Sequence, residues 1–227
     1  MNDRACLERL QNTLRQWCQP NRTLVVGLVG LPGAGKSTLA KRLVDDLGGV
    51  VAATVSLDDF YWPAQERLAR GLAMRGPPGS HDLALLADFL AAVQQRPSTL
   101  HIPVFDRGLE QRVPARACQG PLDLLLFEGF LVGIDVPGYE PLKNALDKLM
   151  YLDIDPDAAL CSRRKREVVN RTMGQPGLSD SEVVAMWENH LWPHVQPHVL
   201  PLIDRSDVVV FVDSRHRLRS LQWKTVR

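Results

Sequence analysis

Between Thr23 and Leu43 the chain reads TLVVGLVGLPGAGKSTLAKRL. An unbroken apolar run, a glycine-rich turn and then a stretch of helix formers constrain the fold more than any other segment. A strand apolar at every position is covered on both faces, as in a parallel sheet with helices on either side. The turn fits the phosphate-loop pattern at every fixed position, through Gly30, Leu31, Pro32, Gly33, Ala34, Gly35, Lys36 and Ser37, with Thr38 next. Glycines let successive backbone N–H groups turn inward around phosphate oxygens, and the helix N-terminus adds positive potential. Lys36 is placed for the β and γ phosphates of a nucleoside triphosphate, and the Ser37 hydroxyl for Mg²⁺.

The rest of the chain alternates in the same manner. VVAATVSL (50–57), LDLLLFEG (122–129), KLMYLDI (148–154) and DVVVFVD (207–213) read as further strands. Helices are expected from Lys36 to about Leu47, over 82–95, from about Pro156 to Arg171 and over 179–192. Leu7, Leu10, Leu14 and Trp17 share one helical face, which predicts a peripheral helix ended by Pro20 within residues 1–20. No repeat, low-complexity tract or long linker divides the chain, so the expectation is one α/β domain spanning 1–227, a doubly wound parallel sheet with helices on both faces. Ligands of such sheets bind beyond the carboxyl ends of the strands, here the loops after Val29, Leu57 and Phe127.

Composition excludes several classes. The formal net charge of +1 carries no footprint of a nucleic-acid or membrane-surface binder. The start, MNDRACLERLQ, lacks the apolar run of a secretory signal, and no stretch has the length to span a bilayer. Cys6, Cys18, Cys118 and Cys161 are scattered without a C-x-x-C pair, as expected of buried thiols in a reducing compartment. The expectation is a cytoplasmic protein with no nucleic-acid or membrane partner; oligomeric state is not readable.

Acidic residues stand where the chemistry needs them. VSLDDFYW (55–62) puts Asp58 and Asp59 at the end of the second strand. A carboxylate there accepts a proton from an acceptor hydroxyl and orients its oxygen for in-line attack. Asp58 is assigned that role and Asp59 a helix cap. Glu128 ends the third strand, where an acid holds Mg²⁺ opposite the phosphate loop together with Ser37.

Arg163, Glu167 and Arg171, spaced four apart, share one face of a helix. They read either as two arginines clamping the transferred phosphoryl group with Glu167 holding them, or as a solvated charged face beside Arg164, Lys165 and Arg166. GQPG (174–177) is a loop of the kind a mobile lid uses. In MRGPPGSHDL (74–83), Arg75, His81 and Asp82 are placed for acceptor binding, with Asp82 alternatively the cap of the next helix. IPVFDRG (102–108) offers Asp106 and Arg107 in the same way. His190, His194 and His198 are spaced like metal ligands, but Pro193 and Pro197 would interrupt their helix and spoil the face.

Taken in order, the phosphate loop, SLDDFYW, MRGPPGSHD, IPVFDRG, GPLDLLLFEGFLVG and MGQPGLSDSEV resemble the D-glycerate 3-kinase family. That family sits in a wider set of phosphate-loop kinases with uridine kinase, pantothenate kinase and phosphoribulokinase. The resemblance runs from about residue 24 to 201, and GSHD, LFEG and GLSD are its most specific pieces. It implies a phosphate-loop kinase fold with a lid over about 160–180, ATP and Mg²⁺ as cofactors, and a small-molecule hydroxyl acceptor, D-glycerate. By the same resemblance Asp58 matches the base of the wider set and Glu128 the acid of its EG strand. Arg163, Glu167 and Arg171 match the charged positions ahead of the family's GKPGMSD loop, which makes the arginines catalytic lid contacts. Arg75, His81, Asp82 and Arg107 fall in the loops beside the acceptor, where Arg75, His81 and Arg107 would act as cations for its carboxylate. The family's YDKS appears as FDRG (105–108), so a tyrosine hydroxyl is absent and Arg107 replaces a lysine, and a following stretch shrinks to LEQRVP (109–114).

A switch GTPase would need an N-K-x-D motif, which the chain lacks. The alternatives left are a kinase of another small hydroxyl metabolite, nucleoside or pantothenate-like, and a non-catalytic nucleotide-binding module.

Overall fold

The computed structural model describes residues 2–45, 47–175 and 177–224, so Pro176 of the expected GQPG loop lies outside the described residues. In chain order the elements are α1 (Asp3–Trp17), β1 (Leu24–Gly30), α2 (Lys36–Asp45), β2 (Ala52–Ser56), α3 (Ala64–Ala69), α4 (Leu83–Gln94), β3 (Thr99–Asp106), β4 (Gln111–Gln119), β5 (Leu124–Glu128), α5 (Glu140–Ala145), β6 (Lys148–Asp153), α6 (Pro156–Thr172), α7 (Asp180–Met186), β7 (Val208–Val212) and β8 (Leu218–Trp223). Six strands form one sheet in the order β2-β5-β1-β6-β7-β8. Its first five are parallel; β8 runs antiparallel to β7 and closes one edge. The arrangement is a parallel-dominated α/β sheet covered by helices, with the glycine-rich turn between β1 and α2.

Sequence and burial agree strand by strand. β1 and β5, apolar throughout, are buried at every position, because both lie inside the sheet with helices over each face. β2 is an edge strand, and its burial alternates. α1 starts on Asn2, whose side chain accepts from the Ala5 amide, and buries Cys6, Leu10 and Leu14. Each fully buried leucine stabilises by about 1.5–3 kcal/mol relative to exposure. Among the cysteines only Cys6 is buried; Cys161 is exposed, contrary to the expected set of buried thiols.

Three elements differ from the sequence reading. β3 and β4 form a separate antiparallel hairpin that the strand reading did not include. Pro103 sits at its register shift between Ile102 and Val104, and β4 is largely exposed, so neither strand shows a clean apolar alternation. β8 was not read as a strand, since its outer face is polar and only Leu218 is fully buried. The helix expected over 179–192 continues past Pro193 and Pro197 by widening into π-type turns at Trp187–Leu191 and Val195–Val199. Bonds such as Leu200 N–H to the Val195 carbonyl bypass the missing proline donors, so the prolines do not end the helix. His194 and His198 stack with ring centroids 6.4 Å apart there. Among the described residues no group of three or more His, Cys, Asp or Glu side chains could hold a metal ion, and no helix is long and apolar enough to cross a membrane.

Candidate active site

Register brings the candidate residues together. Glu128 is level with Leu28 on one side and Ser56 on the other, so the carboxyl ends of β1, β2 and β5 open onto one crevice. The chain leaves β1 for one half of the sheet and later fills the other half with β6 and β7, which makes this the topological switch point.

The phosphate loop is built so tightly that side chains at Gly30 and Gly33 would collide with backbone. A Cβ on Gly30 would lie 2.4 Å from the Leu152 carbonyl oxygen, and one on Gly33 2.4 Å from that of Ala159. Gly33 and Gly35 have φ of 90° and 91°, the left-handed region that glycine enters without steric cost. Lys36 is buried, and its Nζ donates to the carbonyls of Gly30 and Leu31 at 3.1 and 2.9 Å. Burial lowers its pKa to about 8, against the opposing pull of Glu128 and Asp58. A cation whose charge is poorly solvated and braced only by carbonyls is fitted to meet phosphate oxygens. Ser37 Oγ donates to Glu128 Oε1 at 2.8 Å, so a hydroxyl and a carboxylate, both hard oxygen ligands, converge beside the loop. The donor set therefore fits a magnesium-nucleotide complex: residues 30–38 would hold phosphates, and Ser37 with Glu128 would hold the divalent ion.

Beyond β2, Ser56 caps a 3-10 turn at Leu57–Phe60 by accepting from the Asp58 amide. Asp59 is therefore not the cap. Its Oδ1 accepts from the Phe105 amide at 3.2 Å and pins the β3–β4 hairpin to the turn. Asp58 faces the crevice, where Arg107 Nη2 donates to its Oδ2 at 2.6 Å. Burial works to raise the Asp58 pKa, but the Arg107 charge, reinforced by smaller contributions that include Lys36, holds the group below its ordinary value. Arg107 is half exposed at the hairpin tip. Arg75 braces that tip, donating to the Arg107 carbonyl and pairing through Nε with Glu110 at 3.2 Å.

His81 and Asp82 are differently employed. Tyr61 and His81 pair backbone to backbone, and their rings stack at 4.4 Å. His81 Nδ1 lies 2.7 Å from the Tyr139 hydroxyl, and Nε2 is buried without a hydrogen-bond partner. Burial depresses its pKa to about 4, so at neutral pH His81 is uncharged and cannot serve as the cation expected of it. Asp82 caps α4 by accepting from the Leu85 amide, and its other oxygen accepts from Arg112 at 2.6 Å. Both of its oxygens are thus engaged in shaping the loop.

On α6 the two arginines separate. A Cβ on Gly33 would lie 2.9 Å from Arg163 Cγ, so Arg163 packs on the phosphate loop. Burial lowers its pKa to about 10, and its Nε is buried without a partner. Arg171 lies two turns onward, about 12 Å along the axis, against Gly177. Glu167 accepts from the Leu178 amide at 3.3 Å and from Asn170, so it fastens the GQPGLSD segment rather than an arginine clamp.

Three contributors escaped the sequence reading. Tyr61 and Tyr139 stand in apolar surroundings and look like core residues in the sequence. His216 lies in a charged turn after β7, yet its Nε2 is 2.8 Å from the Gly33 carbonyl. It also lines a cavity of about 280 Å³ between α2 and the ends of β6 and β7, with Thr38, Leu39, Arg42, Leu152 and Val212. Only its position after a strand end was visible as a signal.

The chain is 27% identical over 190 residues to a uridine kinase of Brevibacillus brevis, covering 82% of this chain and 84% of that protein. It is 28% identical over 176 residues to a uridine kinase of Halobacterium salinarum, covering 75% and 76%. In fold it is similar to a D-glycerate 3-kinase from Cryptococcus neoformans var. grubii, with a TM-score of 0.76, 20% identity and 97% of each chain covered. The sequence model of the phosphoribulokinase/uridine kinase family matches residues 25–218. That match takes in the phosphate loop, Asp58, Glu128 and Arg163 together, and the chain belongs to this family of ATP-dependent phosphotransferases acting on hydroxyl groups.

Proposed function

We propose that the chain transfers the γ-phosphoryl group of ATP to a hydroxyl of a small carboxylic acid, D-glycerate foremost, with Asp58 as the base. The observation that carries this reading is the ion pair between Arg107 and Asp58 at 2.6 Å. A guanidinium half exposed at a hairpin tip is free to trade one carboxylate for another and grips the second with two parallel hydrogen bonds. When the acceptor's carboxylate takes Arg107, Asp58 loses the strongest of the influences that hold its pKa down. It becomes a stronger base at the moment a hydroxyl arrives. Arg75 keeps the tip in place.

Magnesium-bound ATP, when held by residues 30–38, Ser37 and Glu128, supplies the phosphoryl group and divalent charge. Lys36 swings from the Gly30 and Leu31 carbonyls to the phosphates, and the unpartnered Arg163 Nε adds a donor beside the loop. This is a kinase of the cytoplasm in our reading, with a lid formed by about 160–180.

A second reading is supported by the names of the curated relatives, which are uridine kinases. A nucleoside acceptor would use the stacked Tyr61–His81 pair as an apolar wall and leave Arg107 on Asp58. Incubation with MgATP and a panel of D-glycerate, other hydroxy acids, uridine, cytidine and pantothenate separates the two. Phosphorylation of D-glycerate above every uncharged acceptor is expected. Turnover of uridine exceeding that of every acid would replace the first reading by the second.

A further inference from the structure

We propose that His216 is a positioning residue for the donor nucleotide, holding the phosphate loop in its anion-binding shape from outside the motif. A loop that turns its N–H groups inward to phosphates turns carbonyls outward, and those carbonyls need donors. Gly33 finds its donor in His216 Nε2, at 2.8 Å. The same nitrogen is 3.3 Å from Ser162 Oγ, whose hydroxyl donates to the Ala158 carbonyl one turn back on α6. Both neighbours of Nε2 therefore present acceptor lone pairs, so Nε2 carries the hydrogen, shared between the phosphate loop and the helix that bears Arg163.

The ring also fills the space left by a glycine of the motif. A Cβ on Gly35 would sit 2.8 Å from His216 Cδ2. Gly35 thus gives its φ to the loop and its empty side to the imidazole. On its other flank Gly33 meets Ala159 and Arg163, so the loop is gripped between α6 and the turn after β7.

The turn is built to present the ring. His216 has φ of 60°, a conformation that aims it back across the sheet edge. Asp213 fixes that conformation, its Oδ1 accepting from the Arg215 and Arg217 amides at 2.9 Å each and its Oδ2 from the Arg217 and Arg219 side chains. β8 then carries the chain away along β7. Nothing in the phosphate-loop pattern requires this contact; it belongs to this chain's own edge strand and turn.

The proposal rests on the phosphate-loop reading but not on the acceptor's identity, so its test measures nucleotide binding. Isothermal titration of MgADP and MgATP compares the wild type with His216→Gly and His216→Gln. Glycine removes the ring while relieving the left-handed backbone, and glutamine restores an N–H at similar reach. His216→Gly is expected to weaken both nucleotides about tenfold. Its ligand-free unfolding midpoint should stay within about 4 °C of wild type, since the backbone gains what the lost contact costs. His216→Gln is expected to recover most of the affinity. Wild-type affinity in His216→Gly, or equal losses in both variants, would overturn the proposal. Failure of the wild type to bind either nucleotide would overturn the phosphate-loop reading and the proposal with it.

Discussion

Arg107 and Asp58, residues forty-nine positions apart, meet in an ion pair of 2.6 Å between the tip of the β3–β4 hairpin and the end of β2. The candidate base and the candidate acceptor-binding cation therefore occupy each other until a substrate intervenes.

Removing the arginine has two expected consequences. Arg107→Ala raises KM for an acid acceptor by about tenfold to a hundredfold, the cost of a charge-assisted hydrogen bond, and leaves KM for ATP nearly unchanged. Without the guanidinium, the strongest influence opposing burial at Asp58 is gone and its pKa rises. A base works above its pKa, so the acid limb of the kcat/KM profile moves to higher pH. An unmoved limb would show that Asp58 does not set it.

The neighbouring carboxylates are expected to part company. Asp58→Asn lowers turnover by about 10²–10⁴ with nucleotide binding intact, as loss of a general base does. Asp59→Asn weakens the bond to the Phe105 amide and costs about 1 kcal/mol of stability with little change in kcat. Steady-state kinetics beside denaturant unfolding checks both, and the opposite pattern would reverse the assignment.

Lys36 carries a penalty of its own. Its folded pKa of about 8 lies below the ordinary 10.5, so between those values the unfolded chain binds more protons than the folded one. Stability of the nucleotide-free protein from this group is lowest below pH 8 and rises with pH through that window. Lys36→Met is expected to raise the ligand-free unfolding midpoint at pH 7 while reducing phosphoryl transfer by about a hundredfold or more. A lower midpoint in the variant would show that its carbonyl bonds outweigh the burial.

Glu128→Gln is expected to keep the hydrogen bond from Ser37 and lose the charge. The Mg²⁺ concentration for half-maximal activity then rises about tenfold to a hundredfold, with KM for the acceptor little affected. Titration of activity against free Mg²⁺ measures it.

His81 predicts acid sensitivity. Its pKa falls from 6.5 to about 4 on folding, so stability is full above pH 6.5 and is lost as pH drops through that interval. His81→Phe keeps the stack on Tyr61 and should flatten the loss between pH 6.5 and 4 in thermal unfolding. An equally steep decline in the variant would place the sensitivity elsewhere.

What the sequence disclosed was local. Gly30 to Thr38 form one contiguous stretch flanked by a strand and a helix, and Glu128 ends a run too apolar to be anything but a buried strand. Asp82 was readable as the cap of α4, because a cap and its amide are three residues apart. What stayed hidden was either non-local or disguised. The His216–Gly33 contact spans 183 positions, and the separation of Arg163 from Arg171 follows from where α6 meets the loop. The hairpin was disguised by Pro103 and Pro114 and by an exposed second strand. The charge of His81 was misread because spacing says nothing about the burial that Tyr61 and Tyr139 impose.

The order of strands has a consequence for how the chain comes into being. β1 is completed at residue 30, but its neighbours on either side are β5 and β6, beginning at residues 124 and 148. β2, the next strand made, joins the sheet only across β5. At about 5–20 residues per second, an apolar strand waits on the order of 5–20 s for its first partner while translation proceeds. The segment that defines the nucleotide site is thus exposed to aggregation during synthesis. Its rescue depends on the emergence of Leu124 to Glu128, so slow codons placed between β2 and β5 would lower the yield of folded protein more than the same codons after β6.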